Sequence, residues 1–277
     1  MINDELRPPA TYPIYPPYHT GYYLEEYFYS KFNQSSSTRS YIDIFWTNLY
    51  CNKSNINIQH EVVTNLDWSK QYFTVCQHDD GPKEELPPDT LIFSAGGNRT
   101  SGNIIPIPLI CSAIPSEFIQ SAEKTLLGSF VGSCTHPIRE KMYYTLIENP
   151  KFSIQMAEWS NTVPLDNFIN FVNITSASKF TLCPRGYGLT SFRLYEAFQL
   201  NSVPVYISDR HYLPWADELN WNDFCVLITE PEIENIENIL ESISDDKYNK
   251  MLDNGKKVYK NYFTLDGTTC NIIKRLT

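Results

Sequence analysis

No run of eighteen apolar residues occurs anywhere in the chain, so the sequence contains no segment that reads as a transmembrane helix. The first residues, MINDELRPPATYPIYPP, lack the basic-then-apolar layout of a secretory signal, which leads to the expectation of a soluble, cytoplasmic protein. Positive charge is scarce: 22 Lys and Arg stand against 32 Asp and Glu, for a net charge of −10. That balance repels nucleic acid, so an anionic ligand has to meet a local basic pocket. No C-x-x-C pair occurs among the seven cysteines, and their number is odd. Several lie inside apolar runs (YFTVCQ, FTLCP, FCVLI), so buried free thiols are expected rather than disulfides. No Gly-Lys-Ser/Thr follows any glycine loop, which excludes a Walker-type phosphate site, and no dinucleotide fingerprint with three glycines is present. No two aspartates stand two apart, so the Asp-x-Asp metal pattern is absent. The four N-x-S/T sequons, at Asn33, Asn52, Asn98 and Asn173, read as chance matches without a signal peptide.

What is there is a globular composition, 42% apolar and 14% aromatic, in a chain long enough for one large domain or two modest ones. Residues 6–18 are rich in proline and predict an extended arm. Gly21–Phe32 has helical spacing, while Tyr41–Trp46, Tyr72–Cys76 and Thr90–Ala95 read as strands. Asn103–Ile110 carries two prolines and cannot be a central strand. From about residue 121 the rhythm is regular. Strands are predicted at 126–132, 152–156, 180–184, 203–207 and 225–228; helices at 137–149, 165–178, 190–200, 232–243 and 246–263. Alternation with short loops predicts a parallel sheet covered on both faces. The chain therefore divides into two α/β halves, 1–120 and 121–277.

The most informative stretch is TLCPRGYGLTSFRLYEAFQLNSVPVYISD, Thr181–Asp209, a strand, glycine loop, helix and strand. In such units ligands sit beyond the carboxyl ends of the strands. Gly186 and Gly188 permit close backbone approach, Thr190 or Ser191 can cap the helix, and the free N–H groups at its start suit phosphate. Arg193 and Glu196, three apart, share a face with Thr190. One turn of helix advances about 5.4 Å, roughly the step from a diphosphate to its ribose. Arg193 is then placed to neutralise phosphate and Glu196 to accept from a sugar diol. The plain alternative is an i,i+3 ion pair closing a helix face. Arg185 in the adjoining loop adds a second cation to one carboxylate, a surplus that favours an anionic ligand, namely a nucleotide-sugar.

At these residues the sequence resembles the exostosin-like family of glycosyltransferases. The matching core is FTLCPRGYGLTSFRLYEAFQLNSVPVYISDRHYLPWADELNW, residues 180–221, and a looser likeness covers 120–265. It has the Cys-Pro-Arg-Gly loop leading into Ser-Phe-Arg-Leu-x-Glu-Ala, then Pro204-Val205 in a strand. Leu213-Pro214-Trp215 takes the place of Leu-Pro-Phe. Upstream, GSFVGSCTHPIRE resembles the family's Phe-x-Gly strand followed by an arginine, which brings in Phe130, Gly132 and Arg139. The resemblance implies a GT-B architecture, two Rossmann-like domains facing a central cleft. The N-terminal one binds the acceptor and the C-terminal one the nucleotide-sugar. It also implies inversion at the anomeric carbon, with Arg185, Arg193, Glu196 and Arg139 as donor contacts. Animal members carry a membrane anchor and a longer stem that this sequence does not show, so a small cytosolic form of microbial or large-virus type is the expectation.

Such chemistry transfers a sugar, for example xylose, galactose, glucuronic acid or N-acetylglucosamine, from a donor expected to be UDP-linked to a hydroxyl of a glycan. It needs charge relief on the leaving diphosphate and a base for the acceptor hydroxyl. Arg185, Arg193 and the helix N-terminus are assigned the first role, with Gly186, Gly188, Ser191 and Ser208 as further donor contacts. No metal or other cofactor is required on this reading, although an isolated carboxylate can still hold Mn²⁺ or Mg²⁺. For the base, His78-Asp79-Asp80 follows an apolar strand; Asp79 is chosen first and Asp80 second, since neighbouring carboxylates raise one pKa. A solvated Asp-Asp-Gly-Pro turn is the alternative. His19, Glu25 and Glu26 are further base candidates, each read as structural or surface. Phe93–Asn98 is either a loop approaching a sugar or a plain loop. The aromatics Tyr12, Tyr15, Tyr18, Tyr22, Tyr23, Tyr41, Trp46 and Tyr50 offer an acceptor platform or simple packing. Trp221 reads as a packing anchor, and Arg210 as a contact over the donor. The competing reading of the whole chain is a non-catalytic glycan-binding module, in which Asp79 and Asp80 point away from the cleft.

Overall fold

The computed structural model describes residues 4–13, 16, 18, 23–110 and 113–277. His19, Tyr15, Tyr22 and Cys111 lie outside the described residues. Two parallel sheets carry the fold. The first has the order β1 (Ser40–Tyr41), β2 (Tyr72–Cys76), β3 (Leu91–Ser94), β4 (Asn103–Pro106). The second has the order β6 (Phe152–Ala157), β5 (Leu126–Ser133), β7 (Ser178–Pro184), β8 (Val203–Ile207), β9 (Val226–Ile228). β4 is an edge strand whose Pro106 pairs with Ser94 at the end of the ladder, where a missing N–H does least harm.

The helices are α1 (Leu24–Lys31), α2 (Trp46–Cys51), α3 (Ile58–Asn65), α4 (Pro137–Leu146), α5 (Leu165–Ser176), α6 (Phe192–Gln199), α7 (Ile236–Glu241), α8 (Asp245–Val258) and α9 (Leu265–Leu276). Among the described residues no helix is long and apolar enough to cross a membrane. In the second sheet successive residues face opposite layers. Phe180 and Leu182 of β7 join Val203, Val205 and Ile207 of β8 in one buried cluster. Cys183 and Tyr206 face another, which also holds Phe73, Val75 and Phe93 of the first sheet. Both faces are covered, so the strands read as unbroken apolar runs. α9 packs back on α1, with the Tyr27 hydroxyl donating to Asp266.

Several expectations need correction. The strand expected over Tyr41–Trp46 is cut to Ser40–Tyr41. Ile42 and Ile44 are fully buried beyond it, and Trp46 opens α2, its indole N–H donating to Thr74 Oγ1 at 2.8 Å. The helix expected over 232–243 begins as a 3₁₀ turn, Glu230–Asn235, closed by a Thr229–Glu232 capping box. The helix expected over 246–263 ends at Val258 and continues as a π turn, Tyr259–Phe263. Cys76, Cys183 and Cys225 are buried free thiols, but Cys51, Cys134 and Cys270 are exposed.

The strand order of the second sheet reverses between β5 and β7, since β6 lies on one side of β5 and β7 to β9 on the other. A reversal opens a crevice at the strands' carboxyl ends, because the loops leaving the two strands turn to opposite faces. The ends of β5 and β7 are Ser133 and Pro184, and the candidate site is built there.

Candidate active site

The loop after β7 is held by Arg139 of α4. Its guanidinium donates from Nη1 to Ser133 O (2.7 Å), from Nη2 to Pro184 O (3.1 Å) and from Nε to Arg185 O (3.0 Å). One buried cation thus ties the ends of β5 and β7 together across the crevice. A Cβ on Gly186 would stand 3.1 Å from Arg139 Nη2 and 3.4 Å from Thr135 Oγ1, so a side chain there would press on the guanidinium that holds the loop. Ser191 is the cap of α6: its hydroxyl accepts from Arg193 N at 3.3 Å.

A cavity of about 490 Å³ opens above these ends. Arg139, Gly186, Gly188, Ser191, Arg193 and Glu196 all line it. Arg193 and Glu196 form an ion pair, so the i,i+3 contact is real, but it lies in the cavity wall rather than on open surface: the Glu196 side chain is 6% exposed and that of Arg193 18%. The Arg193 guanidinium also lies over the Phe171 ring of α5, 3.6 Å from its centre. Its Nε is buried and has no hydrogen-bond partner among the described residues.

The charge surplus expected from sequence is corrected by Asp209. Arg185 Nη1 donates to Asp209 Oδ1 at 2.7 Å. Burial opposes ionisation of Asp209, but the Arg185 guanidinium outweighs it and holds the carboxyl below its ordinary range. Arg185 and Arg193 therefore each have a carboxylate. Ser208 is also corrected. It is fully buried, its hydroxyl donates to Arg210 O at 2.6 Å and accepts from Arg210 N at 3.3 Å, and it is not part of the cavity wall. It closes the turn after β8. Arg210 reaches back across the molecule, donating to Gly97 O at 2.9 Å.

The first sheet contributes Asp79, just beyond the end of β2, to the same cavity. Burial, then the neighbouring Asp80, push its carboxyl up to about 6, with Arg185 and Arg139 pulling the other way. Asp79 rests directly on Gly188, where a Cβ would overlap a carboxylate oxygen and stand 2.9 Å from Asp79 Cγ. Asp80 behaves oppositely. Burial would raise it, but hydrogen bonds from Lys83, Asn98 and Tyr187 prevail and hold it below its ordinary range. Lys83 Nζ is 3.0 Å from Oδ2 and Asn98 Nδ2 is 3.2 Å from Oδ1. Asp80 lines a second, adjoining cavity. The two carboxyls are thus separated in both position and acidity, and only Asp79 titrates in the range useful to a base.

The other base candidates are engaged elsewhere. Glu25 is fully enclosed, accepting from Gln77 N (2.7 Å) and from the Thr47 hydroxyl (2.6 Å), and Glu26 accepts from Asn48 Nδ2 (2.6 Å). His78 packs edge-on against Tyr50. Phe93–Asn98 is a seam between the halves: Leu189 N donates to Gly96 O (2.7 Å) and the Tyr212 hydroxyl to Ser94 O (2.6 Å). Gly97 has φ +83°, and a Cβ there would meet the Tyr212 ring at 2.8 Å. Tyr23, Trp46 and Trp221 are packing residues, Trp221 donating to Pro214 O at 2.9 Å. The Tyr18 hydroxyl donates to Val163 O at 2.6 Å, across to the second half. The exposed aromatics at the cavity rim are Trp159 and Tyr187, which sequence reasoning passed over. Tyr187 stands between the two loop glycines, a position that offers a side chain no core to enter.

The chain matches the Exostosin GT47 domain over residues 89–243, more than half of its length. It belongs to that family. The chain carries two parallel α/β sheets, as the resemblance leads one to expect. Of the relatives, a probable glycosyltransferase of Arabidopsis thaliana is 30% identical over 147 residues, covering 53% of this chain and 29% of that protein. Another from the same plant is 26% identical over 186 residues, covering 67% of this chain and 35% of that one. The chain thus spans about a third of the length of these curated relatives. Among solved structures, that of TarM aligns with a TM-score of 0.43 at 10% identity, over 82% of this chain and 52% of the other. The exostosin match takes in β3 to β9 with the glycine loop, Arg139, Arg193 and Glu196, but stops short of Asp79.

Proposed function

We propose that this exostosin-family chain is an inverting glycosyltransferase using a nucleotide-sugar, with UDP as the nucleotide. The donor occupies the 490 Å³ cavity, within the roughly 300–1,000 Å³ range of small-molecule sites. Glu196 accepts from the ribose hydroxyls. Arg193, Arg139 and the N-terminus of α6 face the diphosphate; Arg185, committed to Asp209, is a support for the loop rather than the principal cation. Asp79 takes the proton from the acceptor hydroxyl as its oxygen bonds to the anomeric carbon from the face opposite the diphosphate. The bond from that carbon to the diphosphate oxygen breaks, and the nucleoside diphosphate leaves with the electron pair. A single displacement of this kind inverts the anomeric centre. Fixed cations aimed at the leaving oxygens stabilise the developing charge without a metal ion.

The observation that carries this reading is that Asp79, from one half, and Arg193 and Glu196, from the other, wall one cavity. A glycan-binding module without catalysis has no need of a carboxyl from the first half in the wall that holds Arg193 and Glu196. The test is thermal denaturation with UDP-, GDP- and CMP-sugars, in Mn²⁺ and in EDTA. A rise in melting temperature with UDP-sugars that persists in EDTA is expected. No rise with any of them would remove the donor site, and a rise only with Mn²⁺ would remove the metal-free mechanism.

A further inference from the structure

Beside the donor cavity lies a second one of about 590 Å³, to which both halves contribute. Asp80 and Asn98 come from the first half; His136, Arg185, Asp209 and Arg210 come from the second. Thr135 and Tyr187 line both cavities and form the wall between them. The two neighbouring aspartates straddle that wall, Asp79 on the donor side and Asp80 on the other.

Two carboxylates, Asp80 and Asp209, and two guanidiniums, Arg185 and Arg210, line the second cavity, so its charges balance. Arg185 holds Asp209 at 2.7 Å, and Asp80 is held by Lys83 at 3.0 Å. His136, the cap of α4, is pushed down by burial and then by the Arg185 charge, so it is neutral at pH 7. An anionic ligand at Arg185 would have to displace Asp209, and elsewhere in the cavity it meets the carboxylates of Asp80 and Asp209 as well as Arg210. A neutral ligand rich in hydroxyls meets no such cost. Planar carboxylate, guanidinium and amide groups each offer two hydrogen-bonding atoms, matching the paired hydroxyls of a sugar ring. Tyr187, 62% exposed, presents the apolar face on which the carbon side of such a ring can rest.

We infer that this second cavity seats the acceptor, and that the acceptor is the end of a neutral oligosaccharide. This rests on the glycosyltransfer reading of the first cavity. It moves the acceptor from the N-terminal half alone to a seat that both halves build. The reacting hydroxyl then passes the edge of Tyr187 to reach Asp79.

Saturation-transfer NMR tests this with neutral tetrasaccharides of xylose, glucose and galactose, and with a hexuronate tetrasaccharide, each with and without saturating UDP. UDP affinity is measured separately by calorimetry. At least one neutral tetrasaccharide is expected to bind in the presence of UDP, and more strongly than the hexuronate. Asn98→Ala and Arg210→Ala line only the second cavity and should weaken that binding at least fivefold, with UDP affinity changed less than twofold. Loss of the sugar signal on adding UDP would place it in the first cavity and overturn the inference. So would unchanged binding in both variants, stronger binding of the hexuronate, or no binding of any tetrasaccharide. If UDP fails to bind while the variants still abolish sugar binding, the donor assignment falls and the second cavity stands.

Discussion

Replacing Gly188 with alanine is the sharpest test of how the glycine loop and the proposed base, Asp79, depend on each other. The added methyl would overlap an Asp79 carboxylate oxygen, stand 2.9 Å from Asp79 Cγ and 2.8 Å from Gly96 O. Gly96 cannot retreat easily, because its carbonyl accepts from Leu189 N at 2.7 Å and its own Cα packs under the Asp79 backbone. Ordinary carbon–oxygen contacts need several tenths of an ångström more, so the carboxylate is displaced by about 1 Å. Overpacking of this sort costs about 1–3 kcal/mol of stability, which leaves most domains folded. A misplacement of about 1 Å in a reacting group costs on the order of 100-fold in rate. Gly188→Ala should therefore lower kcat for sugar transfer about 100-fold. Calorimetry with UDP separates this from loss of room for the donor: Kd should change by less than about fivefold, since the methyl is directed at Asp79. A kcat within threefold of the parent would show that Asp79 is not the base, or that it does not rest on this glycine.

The pH profile follows from the same carboxyl. Asp79 must be ionised to accept a proton, and its pKa lies at about 6, so kcat/KM should fall tenfold per unit below pH 6 and level off above it. Asp79→Asn should abolish that limb and cost about 10²–10⁴ in kcat with UDP affinity retained; a limb surviving in the variant would move the base elsewhere. Glu196→Ala leaves Arg193 in the wall without its carboxylate. The expected loss is on the order of 2–3 kcal/mol in urea melts, below the cost of a fully buried charge because Arg193 keeps some water. UDP binding should weaken as well, and adding Arg193→Ala should recover part of the stability but none of the affinity. Glu25, raised to about 7 chiefly by burial, is protonated in the fold at pH values where the unfolded chain has released its proton. Its contribution is full below about pH 4.5 and lost as pH rises through 7, a span worth about 3 kcal/mol. Asp79 adds to the same slope. Urea melts at pH 5 and pH 8 should show a loss of stability in the parent that is smaller by about 2–3 kcal/mol in Glu25→Gln; equal losses would contradict the buried-carboxyl account.

The second half was readable in the sequence because its central strands β7 and β8 are buried on both faces, so each reads as a mostly apolar run ended by a loop. The Ser191 cap and the shared face of Arg193 and Glu196 were readable for the same local reason. What escaped depends on strand pairing. Arg185 and Asp209 are 24 residues apart, yet Pro184 pairs with Ile207 in the parallel register, so the residues just past each strand end fall together. The three carbonyls held by Arg139 meet only once β5 and β7 are neighbours. Ser208 looked like a ligand contact because it is polar and follows a strand, but it continues the face of Tyr206, which is turned into the core. In the first half, the alternation of Tyr41–Trp46 mimics a strand, but the pairing with β2 ends at the Ile42 N–H, which donates to Phe73 O at 2.8 Å, and Ile44 is buried beyond it. α9 was missed because LDGTTCNIIKRL carries a glycine and two threonines near its start. Burial of Thr268, Ile272 and Leu276, not intrinsic propensity, makes it a helix.

The apolar cluster shared by Phe73, Val75 and Phe93 with Tyr195, Phe198 and Tyr206 limits how this protein can be recombined. Its two halves look like modules that could be exchanged between relatives to pair a new donor preference with an old acceptor. Each half, however, supplies part of the other's interior, and the last helix of the chain returns to lie on the first. A graft cut between Pro106 and Leu126 would bring together surfaces that had never been fitted to one another. Productive chimeras would have to carry α1, the Ser94–Gly97 seam and α9 as a single inherited unit, and vary only the cavity walls between them.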